Sequence, residues 1–99
     1  SVIDYSREIE NNITRIEDAT YTLGKTSNKL EEMIRKIEVD FKDYLNEIPE
    51  CRELLNNLNK LLDDLKEKEE ELEKTKKEQE KLLETNNQKV KTLPRTEEV

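Results

Sequence analysis

Apolar residues recur along this chain at a strict interval of seven residues. Every seventh residue in the first three quarters of the chain is apolar or aromatic: Val2, Ile9, Ile16, Leu23, Leu30, Ile37, Tyr44, Cys51, Leu58, Leu65 and Leu72. In a chain with 31% apolar residues, the probability of such a run by chance is on the order of 10⁻⁵. We call these positions a. The pattern predicts α-helix with one apolar stripe.

The strict spacing also distinguishes a coiled coil from a helix that lies on a globular core. On a straight α-helix, a seven-residue repeat drifts around the surface by about 20° per heptad. A left-handed supercoil removes this drift and keeps the stripe facing a partner helix. The sequence therefore predicts an all-α fold, namely an elongated heptad coiled coil or an element of a multi-helix bundle.

The apolar stripe is wider than position a alone. Three residues after a, at position d, the apolar residues are Tyr5, Ala19, Met33, Leu54, Leu61 and Leu82. Four residues after a, at position e, they are Ile13, Ile34, Phe41, Ile48, Leu55, Leu62, Leu83 and Val90. A face that includes a, d and e is typical of a helix in a three- or four-helix bundle, although loose patterning would also produce it.

From these positions we predict an interaction face for contact with other helices. It consists of Ile9, Ile13, Ile16, Leu23, Leu30, Met33, Ile34, Ile37, Phe41, Tyr44, Ile48, Cys51, Leu54, Leu55, Leu58, Leu61, Leu62, Leu65 and Leu72. Asn12 and Asp40 interrupt position d. A polar residue in a seam can fix the alignment of helices, and plain imperfection of the seam explains these two residues equally well.

Helix-breaking residues indicate how the chain is organised. Residues 20–28 collect poor helix formers around Gly24, which predicts a weak point within a helical region spanning 1–92. Pro94 follows Leu93, so we expect the helix to end there and residues 93–99 to form a flexible tail.

The Ile48-Pro49 pair permits two architectures. Proline disrupts a helix interior, but it also suits the first turn of a new helix. The chain could therefore be a long rod kinked near Pro49, or an antiparallel helical hairpin that turns within residues 46–50. Tyr44, Cys51 and Leu58 remain on the seven-residue spacing across the proline. This continuity favours the rod over the hairpin.

Charge and composition narrow the classes of partner. Charged residues make up 43% of the chain, and the net charge is −7 with both halves mildly acidic. Nucleic acid is an unsuitable partner because phosphate binding needs a basic face. No apolar run approaches the length needed for direct membrane insertion. Such composition is also typical of disorder, so the heptad pattern indicates that a partner supplies the missing apolar surface.

The sequence offers no candidate catalytic, cofactor-binding or metal-binding residues. It contains no His and one Gly, and its carboxylates are spread over different helix faces. We therefore expect no enzyme activity, no cofactor and no small-molecule substrate. Cys51 lies at position a, where it serves as a small apolar residue; an interchain disulfide is the alternative. A single cysteine favours an intracellular location.

We expect a structural or scaffolding coiled-coil protein that mediates protein–protein assembly through its a, d and e face. Its partners would be other helical protein chains, in a homo- or hetero-oligomer, at a cytoplasmic or cytoskeletal location. The alternative is a small helical-hairpin adaptor module that docks on a partner protein. The distance between the two ends of the chain distinguishes the two hypotheses, because a rod separates them and a hairpin does not.

Overall fold

The computed structural model describes residues 1–94 and contains three helices. They are α1 (Val2–Asp40), α2 (Lys42–Glu47) and α3 (Pro49–Lys91). The predicted all-α fold is confirmed for the described residues. Part of the predicted tail, residues 95–99, lies outside them. No helix within residues 1–94 is long and apolar enough to cross a membrane.

Local chemistry accounts for the outer ends of the two long helices. The Ser1 hydroxyl oxygen accepts a hydrogen bond of 3.1 Å from the Asp4 amide, as an N-cap side chain does. Lys89 and Lys91 lie in the last turn of α3, where positive charge is favourable beside the exposed carbonyls. Pro94, shortly after the end of α3, is incompatible with a continued helix.

The chain reverses direction at Ile48. Phe41 leaves the helical region with φ −116° and ψ 24°, and Ile48 is extended with φ −114° and ψ 106°. Proline disfavours helical dihedrals in the residue before it, which explains the extended Ile48. Pro49 itself begins α3, where an amide hydrogen would have no helical partner. The Ile48 carbonyl then accepts hydrogen bonds from the amides of Cys51 and Arg52, at 3.0 and 3.4 Å.

The helices on the two sides of Pro49 pack against each other, so the hairpin is confirmed and the rod is wrong. Ile34 and Leu45 precede the proline and share one apolar core with Leu55 and Leu62, which follow it. Continuity of the seven-residue spacing does not distinguish a rod from a hairpin here, because Cys51 and Leu58 lie in the seam after the turn on the same spacing as Ile37 before it. The spacing fails only between Ile37 and Cys51. Tyr44, on that spacing, is 56% exposed, whereas its neighbour Leu45 is 6% exposed.

The chain divides into two compact units. The terminal unit contains residues 1–20 and 71–94, and the turn unit contains residues 21–70. Each unit is an antiparallel helix pair. In the terminal unit Ser6 bonds to Asn87, and Glu17, further along α1, pairs with Lys76, further back along α3. In the turn unit the Cα of Gly24 faces Glu69, and Ile34 packs with Leu62.

Positions a and e, rather than a and d, form the seam in both units. Every a and e position from Ser6 to Ile37 in α1, and from Cys51 to Val90 in α3, is buried or half-buried. Alternating steps of four and three residues place them on one helix face. Every d position of residues 1–94 except Asn12 is exposed. The broad face predicted from sequence is thus divided between an internal seam and an outer side.

Residues 20–28 are helical throughout. Threonine hydroxyls within this stretch donate hydrogen bonds to carbonyls of the preceding turn: Thr20 donates to the Ile16 carbonyl at 2.8 Å, and Thr26 to the Thr22 carbonyl at 3.1 Å. These bonds satisfy side chains that would otherwise compete with the helix. Poor helix formers at the predicted weak point therefore leave α1 unbroken.

Candidate functional site

The turn unit has an apolar core built from all three helices. Ile34 of α1, Leu45 of α2, and Leu55 and Leu62 of α3 are buried together. Partly buried apolar side chains surround them, namely Leu30, Ile37, Cys51 and Leu58. The short helix α2 thus contributes Leu45 to the core between the two long helices.

Large apolar side chains are also exposed in the turn unit. Eight of the ten exposed large apolar residues within positions 1–94 belong to the turn unit: Tyr21, Met33, Val39, Phe41, Tyr44, Ile48, Leu54 and Leu61. The other two, Tyr5 and Leu82, belong to the terminal unit. Single exposed apolar residues are normal on protein surfaces, but a concentration of them is characteristic of binding surfaces.

The exposed residues near the turn border an apolar groove, which we call the turn groove. Its lining consists of Ile37, Phe41, Tyr44, Leu45, Cys51, Leu54, Leu55 and Leu58, and its volume is about 440 Å³. Leu54 is 64% exposed at the side of the groove, whereas Leu55 is 2% exposed and belongs to the core. The rings of Phe41 and Tyr44 are in a tilted contact, with centroids 6.1 Å apart.

The surroundings of the turn groove are acidic. Residues 38–53 contain six carboxylates and two basic residues, in order Glu38, Asp40, Lys42, Asp43, Glu47, Glu50, Arg52 and Glu53. All eight of these side chains are exposed. Asp40, Asp43, Glu50 and Glu53 are each adjacent in sequence to a residue that lines the groove. An apolar depression therefore lies in a region of negative charge.

Cys51 is the cysteine of the chain and lines the turn groove as a free thiol. It is half-buried against the core, in agreement with its predicted role as a small apolar residue. Its position in the lining makes it a natural chemical reporter for occupation of the groove. The predicted alternative, an interchain disulfide, stays a prediction.

The seam of the terminal unit contains a polar network instead of a continuous apolar core. The Asn86 side-chain amide donates hydrogen bonds to the Val2 carbonyl at 2.8 Å and to the Ser6 hydroxyl at 2.7 Å. The Ser6 hydroxyl donates to the Asn87 side-chain oxygen at 3.1 Å. Ser6 and Asn86 are both buried. A buried network of this kind favours one alignment of the two helices because other alignments leave its groups unbonded.

An ion pair joins the two helical segments of the same unit further along the seam. The Lys76 ammonium lies 3.4 Å from a carboxylate oxygen of Glu17. The hydrogen bond to Glu17, together with its negative charge, raises the pKa of Lys76 above its ordinary value. Glu80 and Glu73 act in the same direction through their charge. The pair is partly exposed, so solvent and salt weaken its contribution to stability.

Three buried side-chain oxygens have no hydrogen-bond partner within residues 1–94: those of Ser27, Glu69 and Gln79. All three lie at seam positions, where an apolar residue would pack without this penalty. Each buried polar atom without a partner is unfavourable by roughly 1–3 kcal/mol. Polar residues in the seam therefore reduce the stability of the helix pairing around residues 69–79.

The structure separates the residues of the predicted interaction face into two groups. The first group lies buried or half-buried in the chain's own seams and contains Ile9, Ile13, Ile16, Leu23, Leu30, Ile34, Ile37, Cys51, Leu55, Leu58, Leu62, Leu65 and Leu72. The second group remains exposed and contains Met33, Phe41, Tyr44, Ile48, Leu54 and Leu61. Contact of this second group with another chain stays a prediction.

Some residues of the seams were missing from the predicted face. Leu45 is buried one residue away from the seven-residue spacing, and no pattern in the sequence marks it. Leu83 and Val90 occupy e positions, and their place on that spacing could have added them. Ser6, Ser27 and Asn86 are polar residues at a or e positions, so only the spacing, and not their chemistry, places them in the seam.

The described residues contain no group of three or more His, Cys, Asp or Glu side chains placed to hold a metal ion. The turn groove offers apolar contact and a free thiol, with no set of polar groups that would orient a small molecule. A search against protein-family models, curated proteins and solved structures finds no match to this chain.

Proposed function

We propose that this chain is a helical-hairpin interaction module that docks on another helical protein chain and so contributes to protein–protein assembly. The observation that carries the proposal is the concentration of exposed large apolar residues in the turn unit, eight of the ten found in residues 1–94. These residues lie outside the buried cluster of Ile34, Leu45, Leu55 and Leu62, so packing within the unit does not account for them.

The use of the seam favours docking by a finished hairpin over assembly of separate helices into a rod. A rod would need its a and e residues free to meet a partner. Here Ile9, Ile34, Leu55 and Leu62 are buried within one chain. The apolar surface left for a partner is the outer d side, with Met33, Leu54 and Leu61, and the turn itself. If the chain acts as a scaffold, it would bind its partner through this surface.

Self-association is the second candidate, and it rests on the exposure of Tyr5 and Leu82 in the terminal unit as well. With these residues, apolar d positions are exposed on both arms, which would suit a bundle of two hairpins. This candidate predicts a dimer of defined order for the isolated chain. A docking module predicts a helical monomer whose binding surface is free.

Site-specific photo-crosslinking tests the proposal. A benzophenone side chain is placed at Leu54, on the exposed apolar side, and separately at Glu78, an exposed position in the terminal unit. We expect a crosslink to one defined helical protein from position 54, competed by excess unlabelled chain, and none from position 78. Sedimentation equilibrium of the isolated chain accompanies it. Equal labelling from both positions, or labelling from neither, contradicts the docking module.

A further inference from the structure

The turn groove combines an apolar lining with acidic surroundings, and this combination defines its occupant more narrowly than exposure alone. We propose that the groove binds a basic amphipathic helix, with large apolar side chains inserted in the groove and Lys or Arg residues along its flanks. This inference rests on the proposed function, since it specifies the chemistry of the partner that the turn unit docks on.

The lining of the turn groove suits the apolar face of a helix. Phe41, Tyr44 and Leu54 present large exposed side chains around the groove, and the buried core residues Leu45 and Leu55 contribute to its lining. A helix presents apolar side chains at i, i+3, i+4 and i+7 along one face, and such a face is what an open apolar groove accepts. The volume of about 440 Å³ admits several side chains, while the scarcity of polar groups gives a small polar ligand nothing to bind.

The acidic surroundings of the turn groove favour a partner with positive charge. Six carboxylates and two basic residues lie within residues 38–53. None of the six carboxylates takes part in an ion pair with another residue of the described chain. Negative charge around an apolar patch attracts a partner with positive flanks and disfavours one with negative flanks.

The same charge argues against a second copy of this chain as the occupant. The chain carries a net charge of −7, and two turn units meeting face to face would bring two sets of carboxylates together. Like charges brought together at an interface oppose association. A second copy is therefore the less favourable occupant and becomes one of the outcomes of the test.

The experiment measures binding of two labelled synthetic peptides to the full chain by fluorescence anisotropy. Both peptides are helical and carry leucines at i, i+3, i+4 and i+7; one has lysines at the flanking positions and the other has glutamates. We expect the lysine peptide to bind at least about tenfold more tightly, with a difference that decreases as salt is added. Its binding should slow alkylation of Cys51 by iodoacetamide, since Cys51 lines the groove.

Two sets of variants locate the binding site. Leu54→Ser should abolish the protection of Cys51 and weaken the binding of the lysine peptide. Tyr21 is an exposed residue of the turn unit that does not line the groove, so Tyr21→Ser should leave the protection and the binding unchanged. The triple variant Asp43→Asn, Glu50→Gln, Glu53→Gln should weaken the lysine peptide roughly tenfold. The control Glu8→Gln, Asp18→Asn, Glu78→Gln removes as many exposed carboxylates elsewhere and should have little effect.

Several results would overturn the inference. Equal binding of the lysine and glutamate peptides would remove the role of charge, and insensitivity to Leu54→Ser would place binding outside the groove. A dimer of the chain that Leu54→Ser dissociates would identify a second copy as the occupant. A crosslink from position 54 without preference for the lysine peptide would contradict this inference and leave the docking module intact. If position 54 gives no crosslink and the lysine peptide is not preferred, both this inference and the docking module are contradicted.

Discussion

The two units of this protein share the same heptad spacing but differ in the residues that form their seams. In the turn unit, the seam carries Ile34, Leu55 and Leu62 with Leu45 in a continuous apolar core. In the terminal unit, the seam carries the buried Ile9 together with polar residues: Ser6 and Asn86 are hydrogen-bonded to each other, and Lys76 forms an ion pair with Glu17. Apolar packing provides most of the free energy of helix association, whereas polar seam contacts are weak but select one alignment. The turn unit therefore contributes more to the stability of the hairpin, and the terminal unit contributes more to the alignment of its two helices.

The two units also differ in the number of apolar residues on their exposed surfaces. The turn unit leaves Phe41, Tyr44 and Leu54 exposed beside a buried apolar cluster that does not include them. The terminal unit has fewer apolar side chains in total and exposes fewer. A binding surface built on a well-packed unit keeps its shape when unoccupied, which reduces the entropy lost on binding. This is a physical reason to look for the partner at the turn.

The largest expected effect comes from truncation in the core of the turn unit. Leu55→Ala removes a side chain that is 2% exposed and should lower the free energy of unfolding by about 3 kcal/mol. Leu54→Ala is the matched control, with the same change one residue away at a side chain that is 64% exposed, and should alter stability by about 0.5 kcal/mol or less. Urea unfolding followed by circular dichroism measures both. Equal losses would contradict the assignment of d to the outside.

A smaller effect is expected from the polar network of the terminal unit. Asn86→Ala removes the hydrogen bonds to the Val2 carbonyl and the Ser6 hydroxyl and should destabilise by about 1–2 kcal/mol. Asn57→Ala, at an exposed position of α3, makes the same change in helix propensity without a network. If Asn86→Ala were as stable as the control, the network would have no role in alignment. Urea unfolding of the two variants side by side decides this.

Gly24 offers a change in the opposite direction. A Cβ added there would lie 3.9 Å from a carboxylate oxygen of Glu69, which is an ordinary contact, so Gly24→Ala fits without rearrangement. Alanine loses less conformational freedom in a helix than glycine does, so the variant should be more stable by about 0.5–1 kcal/mol. Ala19→Gly, at an exposed position of the same helix, should lose a similar amount. A destabilising Gly24→Ala would mean that residue 24 is packed more tightly than the structure has it.

The smallest effect concerns the Lys76–Glu17 ion pair. The pKa of Lys76 is raised in the folded state, so its contribution to stability is fully present below the unfolded value and disappears as the pH rises through the raised value, above 10.5. Lys76→Gln should therefore be slightly less stable than the wild type at neutral pH and equal to it at high pH. Lys77→Gln, at the neighbouring exposed lysine, should follow the wild type more closely at neutral pH. Thermal unfolding over the alkaline range, at low salt, measures this difference.

The helical fold and most of the seam follow from the sequence because they depend on local spacing. The recurrence of Ile9, Leu30 and Leu58 at position a is sufficient to predict helices with one apolar stripe. The e residues Ile34, Leu55 and Leu62 were also visible in the pattern. The sequence could not show that d faces outward, because Met33, Leu54 and Leu61 are as apolar as the residues of the seam.

The turn was harder to predict, since its geometry depends on two residues whose dihedral angles the pattern does not encode. Pro49 suits both a kink and a helix start, and Tyr44 and Cys51 continue the spacing across it. The non-helical Phe41 changes the phase, so that Leu45 replaces Tyr44 in the core. The carboxylates of residues 38–53 can be counted in the sequence. That they surround an apolar groove lined by Phe41 and Leu54 can be seen only in the folded chain.

The connection through Ile48 has a consequence for the order in which the hairpin folds. Contacts beside it join residues close in sequence, such as Cys51 and Ile48, whereas Ser6 and Asn87 are separated by 81 positions. Closing a short loop loses less entropy than closing a long one. Pairing of α1 with α3 should therefore begin with the residues next to the turn and continue toward residues further from it in sequence. The apolar core then forms while the intervening chain is shortest, and the polar contacts of Ser6 and Asn86 close last. Backbone amides of residues 1–20 and 71–94 should accordingly exchange with solvent before those of residues 21–70.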